Sequence, residues 1–161
     1  MKLIYERPDR EIWDDGKYII KKVIKTNFKF CIEDYNRFQN LNKEFVEITK
    51  FEDYDDHYIV TMPKIKGHHW VEMRNRVSKE CVYNMNFVNY FKWIGSFIDF
   101  SMGHERIFYH EDLNYGNVLI DGDLNSYVID PDSMVWETRE RFLVKILKQY
   151  TDFTNDKRRK R

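Results

Sequence analysis

The sequence predicts an α+β chain of two lobes: a small antiparallel-sheet lobe with one helix over residues 1–64, then a shortened, mainly helical lobe over residues 65–161. Three observations predict it. Runs rich in β-branched and aromatic residues, separated by tight-turn signals, fill the first third. The hydrophobic pattern then changes to the helical period. Pro63 and Gly67 interrupt the pattern between the two halves.

Residues 2–6 form a short apolar run closed by Arg7-Pro8-Asp9. Residues 11–13 form a second, closed by Asp14-Asp15-Gly16, a hairpin signature. Residues 17–24 follow, with Tyr18-Ile19-Ile20 and Val23-Ile24 suited to a third strand. In residues 31–42, Ile32, Tyr35, Phe38 and Leu41 recur every three positions, as on one face of a helix. Residues 45–51 return to a strand pattern, Asp53-Tyr54-Asp55-Asp56 turns the chain, and residues 57–62 make another strand.

Beyond the break, residues 70–76 suit a short helix. Residues 86–102 give the strongest helical pattern, with Phe87, Phe91, Ile94, Phe97 and Ile98 on a broad apolar face and Gly103 as its cap. Short strands are expected at residues 107–110, 118–121 and 127–129, and an amphipathic helix over residues 136–150.

Composition narrows the function classes. At 161 residues the chain can bury a core without disulfides, and Cys31 and Cys81 have no metal-ligand spacing, which fits a reducing, cytoplasmic setting. The start lacks the apolar stretch of a signal peptide, and no apolar run approaches the ~20 residues of a membrane span. With 27 basic and 27 acidic residues, no global field attracts nucleic acid or an anionic membrane. The local exception is Lys157-Arg158-Arg159-Lys160-Arg161, read as a solvated terminus or as an electrostatic tether. Adjacent histidines such as His68 and His69 point apart in a regular element, which argues against a metal pair.

The chemistry-bearing stretch is His110-Glu111-Asp112-Leu113-Asn114-Tyr115-Gly116-Asn117, followed by Ile129-Asp130-Pro131-Asp132. A hairpin between these turns brings Asp112, Asn117 and Asp130 to one end. Such an oxygen-rich cluster suits Mg²⁺, and a further carboxylate beside it can orient a hydroxyl nucleophile.

This string resembles the catalytic and metal-binding loops of protein-kinase-like enzymes. It is most like the aminoglycoside and choline phosphotransferase branch, which typically shows His-Gly-Asp-Leu-x-x-x-Asn, and Ile-Asp-x-Asp in place of Asp-Phe-Gly. The resemblance implies a protein-kinase-like two-lobed fold and an ATP- and Mg²⁺-dependent phosphotransferase. It makes Asp112 the catalytic base, Asn117 and Asp130 metal ligands, Asp132 a second candidate and His110 a structural residue. Tyr18-Ile19-Ile20-Lys21 resembles Val-Ala-Ile-Lys, so Lys21 is the expected phosphate-binding lysine; a register error would select Lys22, and Lys17 shares its face. Its acidic partner is expected on the next helix, where Glu33 is favoured over Asp34 and Glu44. Residues 58–67 resemble the strand and hinge that carry the adenine, which places Met62 and Lys64 beside the nucleotide.

Two departures stand out. No Gly-x-Gly-x-x-Gly joins the first strands; Glu6-Arg7-Pro8-Asp9-Arg10 stands there, which either weakens ATP affinity or shifts phosphate binding toward Arg7, Arg10 and Lys21. Only residues 133–161 follow the metal loop, so the chain is a minimal version or is completed by a homodimer or partner chain, with Trp70, Trp93 and Trp136 among the candidates to cover exposed surface. The phosphate acceptor, small molecule or protein, is unidentified. The alternative function is a nucleotide-binding pseudokinase acting as a regulatory module.

Overall fold

The computed structural model describes residues 1–25, 30–69, 72 and 79–154, with the backbone alone for residues 79–86, 115 and 152–154. Strands β1 (Lys2–Arg7), β2 (Arg10–Asp14), β3 (Tyr18–Ile24), β4 (Lys50–Asp53) and β5 (His57–Pro63) form one antiparallel sheet in the order β1-β2-β3-β5-β4. The turn between β2 and β3 is built by its aspartates. Asp14 accepts a hydrogen bond from the Gly16 amide at 2.7 Å, and Asp15 accepts from Lys17 and Tyr18 at 2.8 and 2.6 Å. Gly16 supplies the positive φ of 97° that the turn requires.

Register decides which side chains face inward. Ile12 pairs with Lys21, and Lys21 with Val60; Val23 pairs with Tyr58, and Ile19 with Met62. Paired residues share a face of the sheet. Lys21 therefore shares its face with the buried cluster of Val23, Tyr58, Val60 and Met62, while Lys22 points the other way.

The second half joins helices α1 (Ile32–Leu41), α2 (Lys79–Phe100) and α3 (Arg139–Thr154) to two small sheets. One pairs β6 (Gly67–His69), β8 (Val118–Asp121) and β9 (Ser126–Val128); the other pairs β7 (Arg106–His110) with β10 (Met134–Thr138). The main core is aromatic. Phe38 of α1 meets Phe45 at 4.7 Å between ring centroids, Phe97 at 5.5 Å, Phe100 at 5.4 Å and Phe108 at 5.8 Å. The α1 helix comes before β4 and β5 in the chain, yet it packs into the helical half. Tyr35 donates to the Val46 carbonyl at 2.5 Å, and the Trp136 indole donates to Asp34 at 2.7 Å.

Several expectations need correction. Residues 45–51 do not form one strand: Phe45 makes an isolated parallel bridge to Val128, and regular pairing starts at Lys50. The apolar alternation there reflects lodging between two cores, since Phe45 belongs to the aromatic core and Val46 to the sheet cluster. The closing helix begins at Arg139 rather than at residue 136, because Trp136 pairs with Phe108 in the β7–β10 ladder. The Thr138 hydroxyl accepts from the Arg141 amide at 3.4 Å, the position of a helix cap. The helix expected over residues 86–102 starts earlier, at Lys79. The helix expected over residues 70–76 and the basic tail lie outside the described residues, Glu72 excepted.

Gly67 is where the connection after β5 lies against β8. A Cβ there would meet the Ile120 carbonyl oxygen at 2.8 Å and its carbon at 3.1 Å, both backbone atoms that cannot rotate aside. Gly67→Ala should therefore lower stability by about 1–3 kcal/mol, the range for overpacking a close contact. The denaturation midpoint by urea checks this, and an unchanged midpoint would show that the strands separate freely.

Candidate active site

The chain reaches the site through an unforeseen strand. β10 pairs with β7, Met134 opposite His110, so the turn before β10 lies beside the loop after β7. The Glu111 amide donates to the Ser133 carbonyl at 2.9 Å and extends that pairing into the loop. The Ile129 amide donates to the Asn117 carbonyl at 2.9 Å, which ties the same turn to the end of the loop. Gln149 of α3 supports the loop from below, donating to the carbonyls of His110 and Glu111 at 3.2 and 2.7 Å.

His110 is fully buried at the crossing of these segments. Its Nδ1 accepts from the Asp112 backbone amide at 3.3 Å, so the proton sits on Nε2, which donates to the Ile129 carbonyl at 3.1 Å. Burial pushes its pKa down and outweighs the nearby Asp130 carboxylate, which favours the neutral ring.

Asp112 is exposed at the loop surface and is shaped by two amides. Asn114 Nδ2 donates to one carboxylate oxygen at 2.7 Å, and Asn117 Nδ2 to the other at 3.1 Å. Asn117 also donates to the Asp112 carbonyl at 2.7 Å. A single 3₁₀ turn, Tyr115–Asn117, sets the separation of the two residues, and the Asn114 side chain caps it by accepting from the Gly116 amide at 2.7 Å.

The charged centre lies where the upper sheet meets the turn after β9. The Lys21 ammonium, 1% exposed, donates to Asp130 and to Asp132, the latter at 2.5 Å. Asp130 has a left-handed backbone, φ 71° and ψ 55°, and leads the 3₁₀ turn Pro131–Ser133. Its second carboxylate oxygen accepts from the Ser133 hydroxyl at 2.8 Å. Asp132 also accepts from the Tyr58 hydroxyl at 3.2 Å. Burial works against the Lys21 ammonium, but Asp132 and Asp130 outweigh it and raise its pKa. Burial works against the Asp130 carboxylate too, yet Lys21 holds it well below the usual carboxylate range. Asp132 is pushed up, first by burial and then by Asp130, against the pull of Lys21.

The other sequence-selected residues stand apart from this centre. Glu33 is exposed at the start of α1 and accepts from the Cys31 thiol at 3.3 Å. Asp34 is taken by Arg37 and the Trp136 indole, and Glu44 by Lys92. Met62 is buried in the sheet cluster, and the exposed ammonium of Lys64 pairs with Asp14 at 2.6 Å. The sequence reading missed Ser133 and Tyr58 as hydroxyl donors and Asn114 as a donor to Asp112. Only Asn114 left a signal, as an Asx residue two positions before a glycine. An open groove of about 640 Å³ between the end of α1, α2 and the β8–β9 turn is lined by Glu44 and Lys92 but by none of Lys21, Asp112, Asn117, Asp130 and Asp132.

The donor set suits a hard divalent cation. Asn117 spends its amide nitrogen on Asp112, and its oxygen accepts no hydrogen bond among the described residues; Asp130 is ionised. No group of three or more His, Cys, Asp or Glu side chains is arranged to hold a metal among the described residues, so such an ion would complete its shell with water or substrate oxygens.

No protein-family model matches the chain, and no curated protein does. Solved structures do. The chain is similar to the Cydia pomonella granulovirus kinase PK-1 (TM-score 0.58, 13% identity, 82% of this chain and 52% of that one). It is similar to WbdD crystallised with the kinase inhibitor LY294002 (TM-score 0.54, 14% identity, 88% and 35%). It is also similar to Rad53 1-466 in complex with AMP-PNP (TM-score 0.51, 17% identity, 80% and 36%). The chain thus spans about half the length of the granulovirus kinase and about a third of the other two. The fold is a small, two-lobed, kinase-like one.

The buried neutral histidine has a pH consequence. Its folded pKa lies below the unfolded value of about 6.5, so below that pH the unfolded chain binds more protons and stability falls. Urea midpoints should drop between about pH 7 and pH 5.5. His110→Gln, less stable at neutral pH, should show a smaller drop; an equal drop would place the titration elsewhere.

Proposed function

We propose that the chain binds Mg²⁺ and ATP between its two halves and transfers the γ-phosphoryl group to a hydroxyl acceptor. The observation that carries this reading is the convergence of Lys21 with Asp130, residues 109 positions apart, beside a loop in which Asp112 and Asn117 are hydrogen-bonded. Support for nucleotide binding comes from the kinase-like fold and from AMP-PNP in the Rad53 structure. The finer likeness to aminoglycoside and choline phosphotransferases rests on the sequence motifs His110 to Asn117 and Ile129-Asp130-Pro131-Asp132.

In this reading Lys21 neutralises phosphate charge from the buried face of β3. Asp130 and the Asn117 amide oxygen hold Mg²⁺, which when bound neutralises charge on the phosphate oxygens. Asp112, exposed and fixed by Asn114 and Asn117, accepts the acceptor's proton as its oxygen bonds to the γ-phosphorus and the bond to the ADP oxygen breaks. His110 takes no proton; it keeps the two loops in register. Pro63, Met62 and Lys64 belong to the adenine side, where the Lys64 amide already donates to the Lys17 carbonyl at 2.9 Å.

A second reading, a nucleotide-binding pseudokinase, is favoured by one feature. The β1–β2 turn is Pro8-Asp9 flanked by the Arg7–Arg10 pair, so no glycine brings backbone amides onto a phosphate there.

Asp112→Asn separates the two. Transfer by the wild type should fall by about 10²–10⁴ in this variant while ATP affinity changes little. Incubation with labelled ATP and acceptor panels, read beside ATP binding, checks it. Full turnover in the variant would remove Asp112 as base, and binding without turnover by the wild type would select the pseudokinase.

A further inference from the structure

A lysine that holds phosphate must itself be held, because its four-carbon stem is flexible and a buried ammonium without a partner is costly. The sequence assigned this task to an acid on α1. All three candidates, Glu44 lying just beyond the helix, are engaged elsewhere: Glu33 with Cys31 in solvent, Asp34 with Trp136 and Arg37, and Glu44 with Lys92. Nor is α1 poised to move toward Lys21. Tyr35 and Phe38 are fully buried, and the helix is fixed in the aromatic core by Phe97 and Phe108.

Two carboxylates do reach Lys21. Asp130 is the one the proposed reaction uses for the cation. Asp132 is not needed for that and is better enclosed, its side chain 5% exposed against 18% for Asp130. One of its oxygens accepts from Lys21 at 2.5 Å and the other from the Tyr58 hydroxyl of β5 at 3.2 Å. Pro131 restricts the backbone between the two aspartates.

We propose that Asp132 is the positioning residue of Lys21, taking the part the sequence had given to a helix acid. Asp132 keeps the ammonium in place when Asp130 turns to the cation. The lysine and the main metal ligand are then aligned by one three-residue turn, and α1 has no share in it. This rests on the reading of the site as a place for Mg²⁺ and ATP.

The test is a double-mutant cycle on the full chain, with ATP and adenosine titrated by calorimetry in Mg²⁺. Asp132→Asn should weaken ATP by about tenfold to a hundredfold and leave adenosine unchanged. Glu33→Gln should stay within about twofold of wild type. In a Lys21→Met background, Asp132→Asn should cost nothing further. The half-saturating Mg²⁺ concentration should not move, as it would if Asp132 were a metal ligand. An equal loss in the Lys21→Met background, a loss carried by Glu33→Gln, or a matching rise in the Mg²⁺ requirement overturns the proposal. Should Asp132→Asn fail to fold, Asp132→Glu keeps the charge at a wrong reach and is held to the same non-additivity. A wild type that binds adenosine and ATP equally overturns it too, and one that binds neither sinks the site reading itself.

Discussion

Lys21 reaches inward from a sheet face that it shares with the buried Val23, Tyr58, Val60 and Met62. A cation there, beside Val23, Val60 and Met62, is tolerable only because two carboxylates from the other half come to meet it. The rest of the arrangement follows from that requirement. The turn carrying Asp130 and Asp132 must lie under β3, which the β7–β10 pairing and the Ile129–Asn117 hydrogen bond secure. Ile129 adds apolar contact by packing against the same sheet cluster. Removing a partner from such a pair costs several kcal/mol, typically about 3–5. The ion pairs thus join the two halves and also arrange the polar groups of the site.

The aromatic core explains why the helical half is stable enough to hold a charged turn at its upper edge. Phe38, Phe45, Phe97, Phe100 and Phe108 meet at centroid distances between 4.7 and 5.8 Å, a range in which edge and offset contacts add to area burial. Because α1 supplies Phe38 to this cluster, the helix belongs mechanically to the lower half. Its outer edge carries Glu33 into water for the same reason: burying Tyr35, Phe38 and Gln39 turns the opposite side outward.

What was legible in the sequence was local. The string from His110 to Asn117 and the following Ile129-Asp130 are contiguous, so their loops and the strands beside them could be read directly. Lys21 was selected by the likeness of Tyr18-Ile19-Ile20-Lys21 to Val-Ala-Ile-Lys, and the two-residue period of a strand put Lys22 on the opposite face. The rest depended on contacts between distant segments. Trp136 carries a helical pattern forward into α3, and only its pairing with Phe108 makes it strand. Nothing in residues 45–51 reveals that Phe45 and Val46 serve different cores. The Lys21–Asp132 contact spans 111 positions, and a helix acid twelve residues away was the nearer choice by chain order alone.

Asp130 has a left-handed backbone, a conformation that costs most side chains about 1–2 kcal/mol and that Asp and Asn tolerate better than others. The position is therefore filtered twice, once by the carboxylate and once by the peptide geometry beneath it. Alanine scanning would mix the two, since Asp130→Ala removes a charge and also strains the main chain that leads into Pro131. Asparagine keeps the shape and the backbone preference while deleting the charge, so it is the informative exchange here. Glycine and asparagine would both keep the turn and lose the carboxylate, so at this position the backbone geometry can survive a change that removes the charge.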